Sequence, residues 1–536
     1  MLLIRFNEFG YVYDKDSKTR KCNYLLPLGL AYLSAVLKKE GFDVSCYNLN
    51  HHDGHVRDLV RKEMTKFKYD VVFLGGLSLY YPHIRDTISY IREASPETKI
   101  VVGGGLITSQ PEIMFNLLRP EYGILGEGEI TAIELIQSLE RNNEPYNVPG
   151  LIYYDKNRTV ITTPREPIEN LDTLPFPDYE GFGFSGYLEH IRPDDYIAYD
   201  IVDNPRFYPV LASRSCPFGC TFCFHPLGKK YRQRSIDNIM EEIKFSVPRY
   251  KINIIFLYDE LFSHDRERVF EFCKKFKEFT DTLPWKVWFY ASMRVDSTDN
   301  DMVKIMKESG GYLLSFGLES YSQKVLDSMK KHTTPEQINR AFHIIRDNKM
   351  GIQGSFIFGD VAETMETAKE TLDFFKSDPD LIRGGVQVGF IVPFQGSPIY
   401  KQCVANGKIK DEIAFIENRS IEGYNYNEPM NLTDTLTEVE FEKLKDEVLM
   451  AHITAWRYAI PEYAKENEVH IRCPFCGELS IIKNMNAPKY FKLQNVGCRH
   501  CHGRFYMVSR WYPLERFLIK TLGFNRLYTI KKLVGV

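Results

Sequence analysis

Two long parts of this chain alternate short apolar runs with amphipathic helical patterns, and this alternation constrains the fold more than any other feature. Between residues 1 and 145 the runs LLIRF, DVSCYNL, YDVVFLGGLS, KIVVGGG and YGILGEGE read as strands. The segments GLAYLSAVLKKEGF, HIRDTISYIREAS, EIMFNLLRP and TAIELIQSLE read as helices. Strand–helix alternation of this kind predicts a doubly wound parallel sheet, so the chain is expected to be an α/β protein opening with a Rossmann-like domain. From Tyr208 the alternation resumes in longer units. PVLASRS, NIIFLYDE, KVWFYASMR, YLLSFGLES, QGSFIFGD and VQVGFIVPF read as six strands, with helices such as SIDNIMEEIKFSVPRY and DMVKIMKESG between them. Repeated parallel βα units predict a full or partial (β/α)6 barrel over residues 206–405, with its chemistry at the C-terminal strand ends.

The remaining segments differ in texture. Residues 146–205 hold a small β-hairpin, NVPGLIYYDKNRTVITTPREP, and a Pro-rich aromatic stretch, NLDTLPFPDYEGF, read as an ordered linker. Residues 406–465 read as helical, 466–510 as a small cysteine-bearing module, and 511–536 as a basic, apolar tail. A chain of 536 residues is too long for one core. The N-terminus lacks the apolar core and cleavage site of a secretory signal. The longest apolar stretch, Tyr24 to Leu37, has 14 residues broken by Pro27 and Gly29, too short to span a bilayer. A reducing, cytoplasmic setting is expected. The net charge of −3 gives no electrostatic reason to expect a nucleic-acid partner.

Seven of the eleven cysteines fall into two tight clusters, which without an export signal favours metal binding over disulfides. Cys22, Cys46, Cys273 and Cys403 are scattered and read as small buried hydrophobes. The first cluster, SRSCPFGCTFCFHP, puts Cys216, Cys220 and Cys223 on one loop after a strand. Four thiolates fill an iron–sulfur cubane; three leave one iron open to chelate an amine and a carboxylate. The competing reading is zinc held by three cysteines and His225, although zinc knuckles use CxxC. The second cluster pairs Cys473 with Cys476 and Cys498 with Cys501, two CxxC knuckles with 21 residues between them. Four thiolates make a closed tetrahedral site, hence a structural one, for zinc or a rubredoxin-like mononuclear iron. His500 and His502 read as spare, solvated donors.

The Cys216, Cys220, Cys223 triad, with Phe222 before its last cysteine, resembles the radical S-adenosylmethionine superfamily. The resemblance implies a 4Fe–4S cluster whose open iron binds the methionine end of S-adenosylmethionine and yields a 5′-deoxyadenosyl radical. It continues strand by strand. LYDE places Asp259 and Glu260 where the family meets the methionine amine, and Arg294 ends a strand where it can face the carboxylate. FGLES, with Gly317, Glu319 and Ser320, matches the fourth-strand motif. FIFGDVAET, with Gly359, Glu363 and Thr364, resembles the fifth-strand turn, with Val361 and Ala362 as departures. VPFQGSPIY resembles the sixth-strand segment, with Gln395 and Ser397 as substitutions.

LPLGLAYLSAVLKKEGFDV, VVGGG, ILGEGE and NLDTLPFPDY resemble the cobalamin-binding domain and linker fused ahead of many such enzymes. Gly75–Gly76 and Gly103–Gly104–Gly105 follow buried strands, where absent side chains let a cofactor approach the backbone; a tight structural turn is the alternative. The DxHxxG signature is absent: Asp53 and His55 give DxH, but Asp58 stands where glycine should be, and the pair follows the second strand. No histidine ligand to cobalt is expected. The resemblance implies a cobalamin-dependent methyltransferase acting on an unactivated carbon of a small-molecule or lipid-like substrate, with an electron donor such as flavodoxin or ferredoxin. A radical cyclase, oxidase or rearrangement enzyme is the alternative, and a non-catalytic iron–sulfur or zinc protein the third reading. The tail mixes Phe517, Leu518 and Leu522 with Arg516 and Lys520, as either a membrane-surface helix or one docked on the barrel.

Overall fold

A computed structural model describes residues 1–6, 26–378, 382, 385–418, 429–488 and 492–522. Cys22, the Tyr24 end of the long apolar stretch and the tail beyond Leu522 lie outside the described residues. The chain divides into two compact units. Met1–His190, Ser213–Asn238 and Val392–Pro429 form one; Ile191–Ala212, Ile239–Ile391 and Met430–Val536 form the other.

The first unit is built on a seven-stranded sheet. Its parallel strands are β1 (Leu2–Arg5), β2 (Ser45–Asn48), β3 (Val71–Gly75), β4 (Lys99–Gly103) and β5 (Tyr122–Ile124). Leu2, Leu3, Ile4, Val72, Ile100, Val101 and Val102 are fully buried, as strands covered by helices on both faces must be. The strand order β2-β1-β3-β4-β5 reverses direction between β1 and β3. In open sheets of this kind ligands bind in the crevice at the carboxyl ends of the strands flanking that reversal. The predicted hairpin forms as β6 (Leu151–Asp155) and β7 (Arg158–Ile161), and it extends this sheet in antiparallel sense through β5. Lys156 and Asn157 both have positive φ, 47° and 67°, as a two-residue hairpin turn requires. The aromatic linker is ordered by Asp178, whose carboxylate accepts from Ser34 Oγ and Lys38 Nζ, both at 2.6 Å, on helix Leu28–Lys39.

The second unit holds six parallel strands: β8 (Phe207–Val210), then, past the short cysteine-loop strands β9 (Ser213–Arg214) and β10 (Arg232–Gln233) of the first unit, β11 (Ile254–Leu257), β12 (Trp288–Met293), β13 (Gly311–Glu319), β14 (Gly351–Phe358) and β15 (Val386–Phe390). Their order, β15-β14-β13-β12-β11-β8, runs in chain sequence and stays open between β8 and β15, the partial barrel the alternation predicts. The intervening helices start on side-chain caps. Asp265 accepts from the amide of Arg268, Asp299 from Met302, and Thr334 closes a capping box with Gln337.

The C-terminal part of the second unit adds two small three-stranded sheets. One contains β17 (Tyr463–Lys465), β18 (Glu468–Arg472) and β19 (Leu479–Lys483); the other contains β16 (Tyr458–Ala459), β20 (Gln494–Gly497) and β21 (Arg504–Met507). Val469, Ile471, Ile482, Val496, Phe505 and Met507 form its core. Among the described residues no helix is long and apolar enough to cross a membrane.

Candidate active site and metal centres

The cysteine loop leaves β9 through Ser215, a buried residue held in the left-handed region at φ 69°. A non-glycine residue pays for that conformation only where its surroundings enforce it, and such residues gather at functional sites. Cys220 is buried, Cys216 and Cys223 are half-buried, and none is in a disulfide. The amide of Cys223 closes a turn on the Cys220 carbonyl at 3.2 Å, and Ser215 Oγ donates to Leu227 O at 3.2 Å. Three thiols on one ordered loop are the donor set that holds a cubane by three corners, so the residues present fit a 4Fe–4S cluster. Phe222 lies half-buried on the same loop.

The loop's ends carry groups that the sequence motifs do not single out. Arg214 and Arg232 face each other across β9 and β10. Glu127, in the ILGEGE turn, accepts from both guanidiniums at 2.7 Å and from the amide of Ile168 at 2.7 Å; Glu129 accepts from Arg214 at 2.6 Å. Burial would raise the Glu127 carboxyl, but the bonds from Arg232 and Arg214 and the Ile168 amide hold it below the usual carboxylate range. The one signal in the sequence is the pair of glutamates closing a buried strand.

The other predicted residues of the second unit gather at the carboxyl ends of β11 to β14. Asp259 is buried and its Oδ1 accepts from the Ala212 amide at 2.7 Å; Glu260 beside it is exposed. Two adjacent carboxylates at a strand end suit an ammonium group. Arg294 donates to Asp296 at 2.9 Å and to the Lys331 carbonyl at 2.8 Å. Glu319, at φ 65° beside a register shift in the β13–β14 ladder, pairs with buried Lys331 at 2.7 Å. Ser320 Oγ lies 3.1 Å from Thr371 Oγ1 and accepts from the Ser322 amide. Glu363 is wholly enclosed and accepts from the Gly359 amide; burial, with Asp360 nearby, pushes its carboxyl up to about 8.

In the first unit the glycines lie at the carboxyl ends of β3 and β4, on the side of the strand-order reversal. Their need for hydrogen side chains comes from the chain itself. A Cβ on Gly75 would lie 3.2 Å from Gly103 O, one on Gly104 3.0 Å from Gly76 O, and one on Gly105 2.8 Å from the Leu77 side chain. Gly76 meets Phe6 at 3.1 Å, and Gly103 has only ordinary contact with Ile124 at 3.8 Å. The two turns thus pack on each other, the tight-turn alternative; Gly105 is buried under Leu77 and Phe224, while exposed Gly104 and half-buried Gly75, Gly76 and Gly103 leave backbone at the strand ends that fits a flat macrocycle. Asp53 and His55 are exposed on the turn after β2. No histidine occurs before His51, so β1 and the segment following it offer none.

Cys473, Cys476, Cys498 and Cys501 bring their sulfurs within 4.8 Å of one another. Cys473 and Cys501 are 3.8 Å apart and Cys476 and Cys498 3.6 Å. A tetrahedron of sulfurs about 2.3 Å from a central ion has edges of roughly 3.8 Å, so the spacing fits one closed ion. Amides of Phe475 and His500 point at Cys473 and Cys498 sulfur at 3.4 Å, as thiolate acceptors need. The histidines behave differently from each other. His500 is exposed, whereas His502, expected to be solvated, is buried against Trp288 and Tyr312 with ring centroids 5.4 and 6.1 Å away. The apolar base of β12 and β13 demands a ring there, and burial pushes the imidazole down to about 3, leaving it neutral.

That contact places the module. Arg504 and Asp200, each 1% exposed, pair at 2.8 Å; Arg499 meets Asp203 at 2.7 Å; Trp456 Nε1 donates to Val386 O, at the start of β15, at 3.1 Å. A Cβ on Gly351, the first residue of β14, would lie 2.9 Å from His502 O. The four-cysteine module therefore packs on the amino ends of the barrel strands. Asp259, Glu319 and Glu363 stand at the carboxyl ends, about 25 Å away along a strand the length of β13.

Residues 210–375 match the radical SAM superfamily, and residues 23–136 match the B12 binding domain. The chain thus carries a B12-binding domain ahead of a radical SAM domain and is a radical SAM enzyme. It is similar to a Pyrococcus horikoshii protein described as an uncharacterised methyltransferase, with 29% identity over 388 residues, 71% of this chain and 79% of that one. It is also similar to the anaerobic magnesium-protoporphyrin IX monomethyl ester cyclase of Rubrivivax gelatinosus, at 27% over 365 residues, 66% of this chain and 63% of that one. Among solved structures, the radical S-adenosylmethionine methyltransferase TsrM of Kitasatospora setae, with tryptophan and a S-adenosylmethionine analogue bound, aligns with a TM-score of 0.59 at 18% identity, covering 75% of this chain and 76% of that chain. At that identity the likeness is one of fold.

Proposed function

We propose that the protein is a cobalamin-dependent radical C-methyltransferase acting on a small molecule. The observation that carries this reading is the presence, in one chain, of a B12-binding domain and a three-cysteine radical SAM loop, the loop lying in the same compact unit as that domain. When bound, the cluster with S-adenosylmethionine supplies a 5′-deoxyadenosyl radical that opens a C–H bond, and cobalamin supplies the methyl group. Cys216, Cys220 and Cys223 hold the cluster. Asp259 and Glu260 receive the methionine ammonium, and the backbone of Gly75–Gly76 and Gly103–Gly104 forms a floor for the corrin. Arg294, Glu319 and Ser320 brace the strand ends through Asp296, Lys331 and Thr371. The four-cysteine module holds a structural zinc, a closed site of the ribbon type. The tail helix Tyr512–Leu522 docks its first turn through Tyr512 and Glu515, while Leu514 and Phe517 stay exposed for contact with an anionic lipid surface.

The test is anaerobic purification and reconstitution, a visible spectrum, and mass analysis of products from S-adenosylmethionine. Corrin absorption with formation of S-adenosylhomocysteine supports the proposal. The Rubrivivax relative favours a cyclase as second reading: 5′-deoxyadenosine alone, with no methylated product, would replace the first reading by that one.

A further inference from the structure

The cysteine loop is fastened at its ends by a closed set of charges. Arg214, just before the loop, and Arg232, just after it, both bind Glu127, and Arg214 also binds Glu129. All four side chains are buried, none more than 9% exposed. Two guanidiniums balance two carboxylates, so each charge is compensated only while the others stay in place. The middle of the loop is held by shape. A Cβ on Gly105 would lie 3.4 Å from Phe224, and one on Gly396 would lie 2.6 Å from the same ring. The amide of Ile399 donates to Thr221 O at 2.9 Å. Every one of these partners belongs to the unit that contains the B12-binding domain.

We propose that Glu127 is a positioning residue that fixes the cluster loop against the B12-binding domain and so sets the separation of the two cofactors. The proposal rests on the function proposed above. Glu127 acts through Arg214 and Arg232 and needs no contact with cluster, corrin or substrate. Its carboxylate is suited to this because it lies in the turn after β5, at the carboxyl edge of the sheet, and collects both ends of the loop at once.

The experiment uses the full-length protein with Glu127→Gln, which keeps the shape and removes the charge, and Glu127→Asp. The double variant Glu127→Gln/Arg232→Gln removes opposite charges together. In the protein without cofactors, amide hydrogen exchange over residues 213–233 is expected to quicken at least ten-fold in Glu127→Gln and less in the double variant. After reconstitution with iron, sulfide and cobalamin, iron per chain should match the wild type. The distribution of spin coupling between the reduced cluster and cob(II)alamin should be at least two-fold wider than in the wild type. Unchanged exchange overturns the proposal. Faster exchange with an unchanged coupling also overturns it, since the staple would then be structural only. If Glu127→Gln fails to fold, Glu127→Asp and the double variant supply both measurements, and the same results support or overturn the proposal. If the wild type binds no corrin, the proposed function fails and the proposal that rests on it falls too, a result distinct from unchanged coupling in a corrin-replete variant.

Discussion

Glu363 is a carboxyl enclosed to 1% exposure at the end of β14, raised from 4.5 to about 8 by burial. A folded-state pKa above the unfolded one gives stability that is full below pH 4.5 and is lost as pH rises toward 8. The loss should approach about 1.4 kcal/mol per pH unit across that window. Thermal melts of the wild type should therefore fall between pH 5 and 8, while those of Glu363→Gln, which cannot ionise, stay flatter; parallel slopes would contradict this. A Cβ on Gly317 would lie 2.2 Å from Glu319 Oε1 and 2.6 Å from Lys331 Nζ, so Gly317→Ala must displace a buried ion pair. Both atoms end flexible side chains that can shift together without losing either charge, so the expected cost is about 1 kcal/mol, read in a denaturant titration as a slightly lower midpoint. The triad itself is tested most simply: Cys216, Cys220 and Cys223 replaced together by alanine should abolish formation of 5′-deoxyadenosine. The sequence showed these three cysteines by spacing alone. It held no hint of why residue 317 is glycine, because Lys331 approaches only once the strand ends are assembled.

At the scale of elements, the C-terminal module is the part whose role the fold clarifies. Its knuckles sit between β18 and β19 and between β20 and β21, and its core packs around the cysteines. Metal binding in such modules is coupled to folding. Cys473→Ser combined with Cys498→Ser should release one metal per chain and expose residues 458–508 to hydrogen exchange first. The starts of β12 to β15 should follow, because Trp288, Gly351 and Val386 lose His502 and Trp456 as cover. Iron at the cysteine loop should be retained in the folded fraction. Loss of catalysis with unchanged stability would point instead to an electron-transfer ion, which the placement at the amino ends of the strands argues against.

At the scale of the whole molecule, the cysteine loop follows β8 in the chain yet belongs to the unit of the B12-binding domain. The radical SAM domain is therefore not separable by cutting at the linker. A chain beginning at residue 166 would lose Glu127 and Glu129 as partners of Arg214 and Arg232, together with most of the unit that buries both ends of the loop. The truncated protein is expected to be poorly soluble and to bind less than half the iron of the full chain, measured after identical anaerobic reconstitution.

The amino-acid sequence determined the α/β class, the parallel strands of both sheets, the six barrel strands, the three-cysteine loop and the paired knuckles. Each of these is written in local spacing: hydrophobic period sets which faces are buried, and thiol spacing sets what one loop can ligate. The tertiary structure decided the rest. It set the strand reversal between β1 and β3, the packing of the two glycine turns on each other, the burial of His502, and the meeting of Glu127 with arginines 87 and 105 residues away. Periodicity reports that a face is covered but not by what, and an ion pair between distant segments exists only after the chain has been threaded through its sheets.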